Sequence, residues 1–441
     1  MKPIGVAVPR VDSAEKGSGG SVYLADLAIP GVLTAGLVLS ERAYARLVAV
    51  DLPPLPDGYV VVDHRDVPGA NTVAMITESW PLFPEDAVEY YGQPVALIAG
   101  PDPAEVHRLV HATAIRYEEL RPIVGLDEAE AREVPDLFVS YELTGSPGPR
   151  GAGDGGTGAP AAADAEAPNG APVSDDAPAA GLRLTETFDT GPQEHIYLEP
   201  QAIAAWFEAD RIVVRGSMQC PFYVKKALVR IFGWDEDRVR VVQTTTGGAF
   251  GGKEEYPSVL AGYVALAAWK SGRPVRLVLD RSEDIRITTK RHPSRITCTT
   301  ELAAPVAHGD PSHGARPLEL ARVEADIRTD GGAFEGLSST VLQRAMFSAN
   351  GVYRVPEIHV RGRSYRTNVV PYGAFRGFGS PQAFFAIEMH MAHLARRLGE
   401  DPLDFKVRHL LRQGDRTITG GTLREPVVMD EMVRIATDAS G

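Results

Sequence analysis

A chain of 441 residues is long enough for two or three domains with sizeable cores. Its formal charge of −13, offset by no basic tail or stripe, argues against a nucleic-acid partner, and its two cysteines cannot ligate an iron–sulfur cluster, which takes four thiolates. No run approaches the ~20 apolar residues of a membrane span, and the start Met1-Lys2-Pro3-Ile4 has no apolar core of signal length, so a reduced, cytoplasmic protein is expected.

Residues 1–130 read as a small α+β domain. Segments 20–27 and 34–39 have strand character with Pro30-Gly31 as a turn, and 60–62 is a further strand after a Pro-rich connection. Tyr91-Gly92-Gln93 turns into a strand over 94–99. Pro103 then opens a helix to about Thr113, and 114–120 alternates as a strand. No cluster of catalytic residue types falls in this domain. The acidic run of Asp127, Glu128, Glu130 and Glu133 reads as a solvated helix face. Residues 145–181 are mostly Gly, Ala, Pro, Asp and Ser, too poor in bulky side chains to offset the entropy of ordering. The stretch 131–181 is therefore expected to be an acidic, flexible linker.

From Leu182 the apolar pattern resumes and runs to the end as a second domain, 182–441. Segments 202–207 and 211–215 read as a hairpin around Glu208-Ala209-Asp210, and Pro221 opens an amphipathic helix ending near Gly233. A strand over 239–242, a glycine-rich turn and a buried helix over 259–269 follow, then strands over 274–279 and 320–328. A helix from Pro381 has a core-facing stripe of Phe384, Ile387, Met391, Leu394 and Leu398 and stops at Gly399. Asp401-Pro402 caps a last helix to about Arg412.

The turn between strand and helix, Gly247-Gly248-Ala249-Phe250-Gly251-Gly252-Lys253-Glu254, lets backbone N–H groups approach a ligand closely, because glycine adds no Cβ and tolerates positive φ. Gly247, Gly252 and Lys253 fit the spacing of a phosphate loop. The next position then needs Ser or Thr to place a hydroxyl on Mg²⁺; here it is Glu254, so nucleotide hydrolysis is set aside.

The same turn resembles the cofactor loop of the xanthine dehydrogenase/aldehyde oxidase family of molybdenum hydroxylases. Three more segments follow the family's order: Gly191-Pro192-Gln193-Glu194-His195-Ile196-Tyr197-Leu198-Glu199, Gln343-Arg344-Ala345-Met346-Phe347, and Gly373-Ala374-Phe375-Arg376-Gly377-Phe378-Gly379. In the first domain, Val22-Tyr23-Leu24-Ala25-Asp26, Pro30-Gly31-Val32-Leu33 and Tyr91-Gly92-Gln93-Pro94-Val95-Ala96 resemble the family's α/β hammerhead domain. The implied fold is α+β: a hammerhead domain, then a mixed α/β molybdenum-cofactor-binding domain that is incomplete here.

What the resemblance implies about the site is specific. The cofactor is molybdenum–molybdopterin, as the pterin or its cytosine dinucleotide, held by backbone and amide groups with no direct protein ligand to the metal. Gln193, Phe250, Gly251 and Arg376 match its contacts. Glu254, Arg344 and Phe378 match substrate contacts: a glutamate on a ring nitrogen, an arginine stabilising charge on a carbonyl oxygen, an aromatic ring stacking on a flat substrate. Glu254 and Arg344 also admit a plainer reading, as a surface ion pair. Having both favours a purine such as xanthine or hypoxanthine, or a related N-heterocycle, oxidised with water as oxygen source. An aldehyde oxidoreductase and a non-catalytic scaffold are the alternatives. The family's general-base glutamate is not met by Gly441, so it is expected on a C-terminal molybdenum-domain chain or a missing C-terminal half. A [2Fe-2S] subunit and an FAD subunit are expected as further partners.

Overall fold

The computed structural model describes residues 5–73, 75–77, 80–132, 136–148, 161–162, 182–303 and 317–440. Most of the linker expected over 131–181 lies outside the described residues, as does Glu133 of the acidic run. The chain forms two compact units, each assembled from separate segments: 1–122 with 194–289 and 368–370, and 123–193 with 290–367 and 371–441.

The first unit is built on a seven-stranded sheet in the order Val239–Gln243, Arg211–Gly216, Ala202–Glu208, Val275–Val278, Leu33–Leu39, Pro94–Gly100, Val60–Val62. Strands from distant parts of the sequence join where Leu33 pairs with Val275 and Thr34 with Arg276, in parallel. The hairpin around Ala209 forms as its sequence predicts, with Ala209 at φ 56° in the left-handed region. The helix Tyr256–Ser271 starts earlier than its apolar run suggests. Every residue from Tyr256 to Ala268 is buried, which accounts for a sequence apolar on all sides. The helix Pro103–Ala112 is capped by Asp102, whose side chain accepts the Ala104 N–H at 3.0 Å.

Residues 20–27 are not a strand. Leu24–Asp26 is a 3₁₀ turn, its Leu24 packed with Ala202 and Ala204, and the Ala25 and Leu27 carbonyls accept from Nη1 of Arg276 at 3.0 and 3.1 Å. A side chain from a distant strand thus takes acceptors that a ladder would otherwise use.

The second unit has a six-stranded sheet: Ala161–Ala162, Leu137–Gly145, Glu357–Tyr365, Glu319–Asp330, Ser294–Ala303, Leu182–Thr190. Its helices Ser338–Phe347 and Ser380–Leu398 bury Leu342, Ala345, Met346, Ile387, Met391 and Leu394 in one apolar core with the strands. Phe384, expected in the stripe, is exposed; the buried face instead runs through Ala383, Ala386, Ile387 and His390. The helix after Asp401 ends at Arg408 and not Arg412, because Leu410 bridges antiparallel to Tyr353 and the His409 carbonyl accepts the Arg354 N–H at 2.7 Å. The acidic segment is the helix Gly125–Glu130. Its Asp127 is exposed but pairs with Arg295 at 2.7 Å, and Glu130 pairs with Arg295 and Arg328, each at 3.3 Å. Among the described residues no helix is long and apolar enough to cross a membrane.

Candidate functional site

In the first unit the glycine-rich turn is held from below by a carboxylate. Oε2 of Glu199 accepts from Gly247 N–H and Ser217 Oγ, both at 2.7 Å, and from Nζ of Lys253 at 2.9 Å. Lys253 is fully buried. Burial pulls its ammonium below the ordinary lysine range, and Glu199 opposes that pull. A lysine turned inward in this way cannot reach a phosphate outside the loop.

Gln219 fixes the far side of the turn, its Oε1 accepting from Gly251 N–H at 2.9 Å and its main-chain N–H donating to Lys253 O at 2.7 Å. Gly252 lies against Tyr197 and His195 so closely that a Cβ would fall 2.6 Å from Tyr197 Cε1. Tyr197 is itself fixed, donating to Asp284 Oδ1 at 2.6 Å. Gly248, Phe250 and Gly251 take φ of 102°, 52° and 103°. A phenylalanine in the left-handed region is strained, and such strain persists only where surroundings over-determine the backbone.

The result is a run of three N–H groups, on Gly248, Ala249 and Phe250, with no hydrogen-bond partner among the described residues. Consecutive free N–H groups on a turn of this kind form a concavity for oxygen ligands. The Phe250 ring is half exposed.

Glu254 follows the turn, half-buried. Burial raises its carboxyl, and among the described residues it has no hydrogen-bond or cation partner. Its charge helps keep the nearby Cys220 thiol protonated: burial, then Glu254 and Glu255, push that thiol up to about 11.

In the second unit, Gln193 and the other glycine-rich turn meet through Arg291. Nε of Arg291 donates to Gln193 Oε1 at 2.5 Å, a terminal nitrogen donates to the Arg376 carbonyl at 3.0 Å, and its guanidinium lies 4.0 Å from the Phe375 ring centre. The two backbones also bridge, Arg291 N–H donating to Gln193 O at 3.0 Å.

The turn repeats the geometry of the first. Gly377, Phe378 and Gly379 have φ of 95°, 51° and 91°, and a Cβ on Gly379 would sit 2.3 Å from Val341 O in the helix Ser338–Phe347. That helix carries Arg344, which is exposed. Neither the Arg344 nor the Arg376 guanidinium has a carboxylate partner among the described residues. Below Arg291, His292 is fully buried with a ring nitrogen 2.8 Å from Ser338 Oγ; burial, then the Arg291 charge, push it down to about 3, so the ring is neutral.

Sequence reasoning passed over Glu199, Ser217, Gln219, Arg291 and His292. Glu199 is a polar neighbour in the segment 191–199, and no sequence signal ties it to Lys253, 54 positions away. Among the described residues no group of three or more His, Cys, Asp or Glu is arranged to hold a metal. What the first unit offers instead is free backbone N–H, and what the second offers is an amide and a guanidinium. Each by itself suits an oxygen-rich anionic group such as a pterin-bound metal, and the crowded glycines keep side chains clear of each turn.

The comparisons with known proteins agree. Residues 165–410 match the family profile described as molybdopterin cofactor-binding domain, and residues 18–121 match that of the aldehyde oxidase and xanthine dehydrogenase a/b hammerhead domain. The chain is 29% identical over 433 residues to the nicotinate dehydrogenase large molybdopterin subunit of Eubacterium barkeri, covering 97% of this chain and 94% of that one. It is 31% identical over 410 residues to a probable xanthine dehydrogenase subunit of Bacillus subtilis, covering 92% of this chain but 51% of that one. Among solved structures, an aldehyde oxidoreductase from Desulfovibrio gigas shares the fold with a TM-score of 0.79 at 22% identity, covering 98% of this chain and 46% of that one. The chain thus spans nearly all of the first relative and about half of the other two. It belongs to the xanthine dehydrogenase and aldehyde oxidase family of molybdenum hydroxylases, as a chain with a molybdopterin cofactor-binding domain.

Proposed function

We propose that this chain is the molybdopterin-binding part of a hydroxylase that oxidises a purine or related N-heterocycle with water as oxygen source. The observation that carries the substrate class is that the Glu254 carboxyl and the Arg344 guanidinium, on the two residues matching heterocycle contacts, are both without a hydrogen-bond or ion-pair partner among the described residues. A half-buried carboxylate left unpaired is unfavourable unless a ligand takes it. Two relatives named for nicotinate and xanthine support the same class.

In this reading the cofactor supplies the two-electron redox chemistry when bound. Gln193 would hold it through its amide N–H, Phe250 through its main-chain N–H, Gly251 by leaving the approach open, and Arg376 through a charge-assisted contact. Phe378 would stack on the flat substrate. Glu254, its carboxyl raised by burial, would hold a ring nitrogen with or without a proton between them. Arg344 would stabilise negative charge gathering on a carbonyl oxygen as the carbon is attacked.

The proposed partners are an iron–sulfur chain, an FAD chain and a chain completing the molybdenum domain; two relatives named as subunits support an assembly. The proposed division is a hammerhead domain at 1–130, a linker and a cofactor domain from 182. The profile matches over 18–121 and 165–410 support the two domains, whereas the strand Leu137–Gly145 falls inside the 131–181 linker and shortens it.

Steady-state kinetics of the co-expressed complex test the substrate class. Glu254→Val and Arg344→Met should each lower kcat/KM for xanthine or hypoxanthine by about 10²-fold or more, and leave aldehyde turnover within a few-fold. A complex that oxidises aldehydes and no heterocycle, or variants that slow both equally, would replace this reading with an aldehyde oxidoreductase.

A further inference from the structure

On the helix Pro103–Ala112 two histidines stand one turn apart, away from both glycine-rich turns in sequence. His107 and His111 are exposed, their rings 4.3 Å between centres and their Nε2 atoms 3.1 Å apart. Residues at i and i+4 share one helix face, so this proximity follows from the helix itself. The scaffold beneath is firm: Val106 and Leu109 are buried, Asp102 caps the start, and Thr113 Oγ1 closes the last turn on Leu109 O at 2.9 Å.

The 3.1 Å separation is the relevant number. Two imidazole nitrogens bound about 2.0–2.1 Å from one ion, at an angle between a right angle and the tetrahedral value, lie roughly 2.9–3.4 Å apart. Two neutral rings can hold that spacing only if one donates to the other, a single weak bond in water. A divalent ion would use both lone pairs at once.

The surroundings favour a cation. Arg108, the neighbouring positive charge, is engaged by Glu105 through two bonds of 2.7 and 2.6 Å. The chain as a whole carries −13.

We propose that His107 and His111 form a two-histidine site for a borderline divalent transition-metal ion, with copper(II) held more tightly than nickel(II) or zinc(II). The order follows the general affinity series for imidazole ligands. Two protein ligands leave the remaining positions to water or to a side chain from another molecule. The site is independent of the cofactor reading and stands or falls separately.

Copper(II) titration of the full chain, read by calorimetry and by electron paramagnetic resonance, tests it. One copper(II) should bind with hyperfine structure from two nitrogens. His107→Gln and His111→Gln should each weaken binding at least tenfold. The pair His111→Ala with Ala112→His keeps the number of imidazoles but breaks the i, i+4 spacing, and should weaken binding as much. Unchanged thermal midpoints confirm that these exposed positions leave the fold intact. Wild-type affinity in all three variants, or a spectrum showing fewer than two nitrogens, overturns the proposal.

Discussion

Arg291 donates from Nε to Oε1 of Gln193 at 2.5 Å, and that bond decides which end of the amide faces outward. A guanidinium has only donors, so it holds the amide oxygen and leaves the amide nitrogen to the outside. The same guanidinium holds the Arg376 carbonyl, so one side chain sets the polarity of Gln193 and the seat of the second turn together.

Gln193→Glu therefore makes a clean test of polarity. It keeps size and strengthens the contact with Arg291, but turns an acceptor outward where a donor stood. Turnover of the assembled enzyme should fall at least tenfold while the urea midpoint stays level or rises. Turnover at the wild-type rate would show that the outward N–H is not used.

Glu199 and Lys253 form a buried pair, and breaking one side leaves the other charge without its partner. Glu199→Ala should destabilise the chain by roughly 3–5 kcal/mol in chemical denaturation. The double change Glu199→Leu with Lys253→Met should be milder than either single change, because no buried charge remains. Additive losses would mean that the pair is not coupled.

Gly252→Ala places a Cβ 2.6 Å from Tyr197 Cε1 and 2.8 Å from His195 Cγ. Tyr197 is held by Asp284 and cannot give way, so a loss of about 1–3 kcal/mol is expected in urea denaturation. Gly17→Ala is the control: nothing lies within 4 Å of its Cβ and stability should hold or rise slightly.

His292 makes stability depend on pH. Its folded value, about 3, lies below the ordinary 6.5, so the folded form binds fewer protons. The contribution is complete above 6.5 and is lost as pH falls towards 3. Stability of the wild type relative to His292→Gln should drop by about 1 kcal/mol at about pH 5.5 and about 3 kcal/mol at about pH 4.5, compared with about pH 7.5. Asp330, which burial raises to about 6, acts in the opposite direction but is common to both chains and cancels. A pH-independent difference between the two chains would contradict the assignment.

The two turns were legible because glycine spacing around a single phenylalanine is a local signal. Their backbone angles agree with it: Phe250 and Phe378 sit at φ 52° and 51°, each beside glycines at positive φ. The supports were not legible. Thr288, Thr289, Lys290, Arg291 and His292 read as a polar run and are all buried, and the partners of Lys290, Arg291 and His292 lie far away in sequence. Arg291 reaches Gln193 across 98 positions and periodicity carries no information over such a span. Local misreadings have the same origin. Segment 20–27 had strand character until Arg276 claimed two of its carbonyls, and Phe384 was one position off the face that the sheet buries.

In the proposed function, backbone N–H groups, an amide and a guanidinium receive a pterin-bound metal. Metal and pterin analysis of the complex, purified with its neighbouring subunits co-expressed, measures this directly. The expected result is close to one molybdenum and one pterin per chain, falling sharply in Gly251→Val and in Arg376→Met while both variants still assemble. A complex that assembles fully yet contains neither molybdenum nor pterin would contradict it and leave the chain as a scaffold.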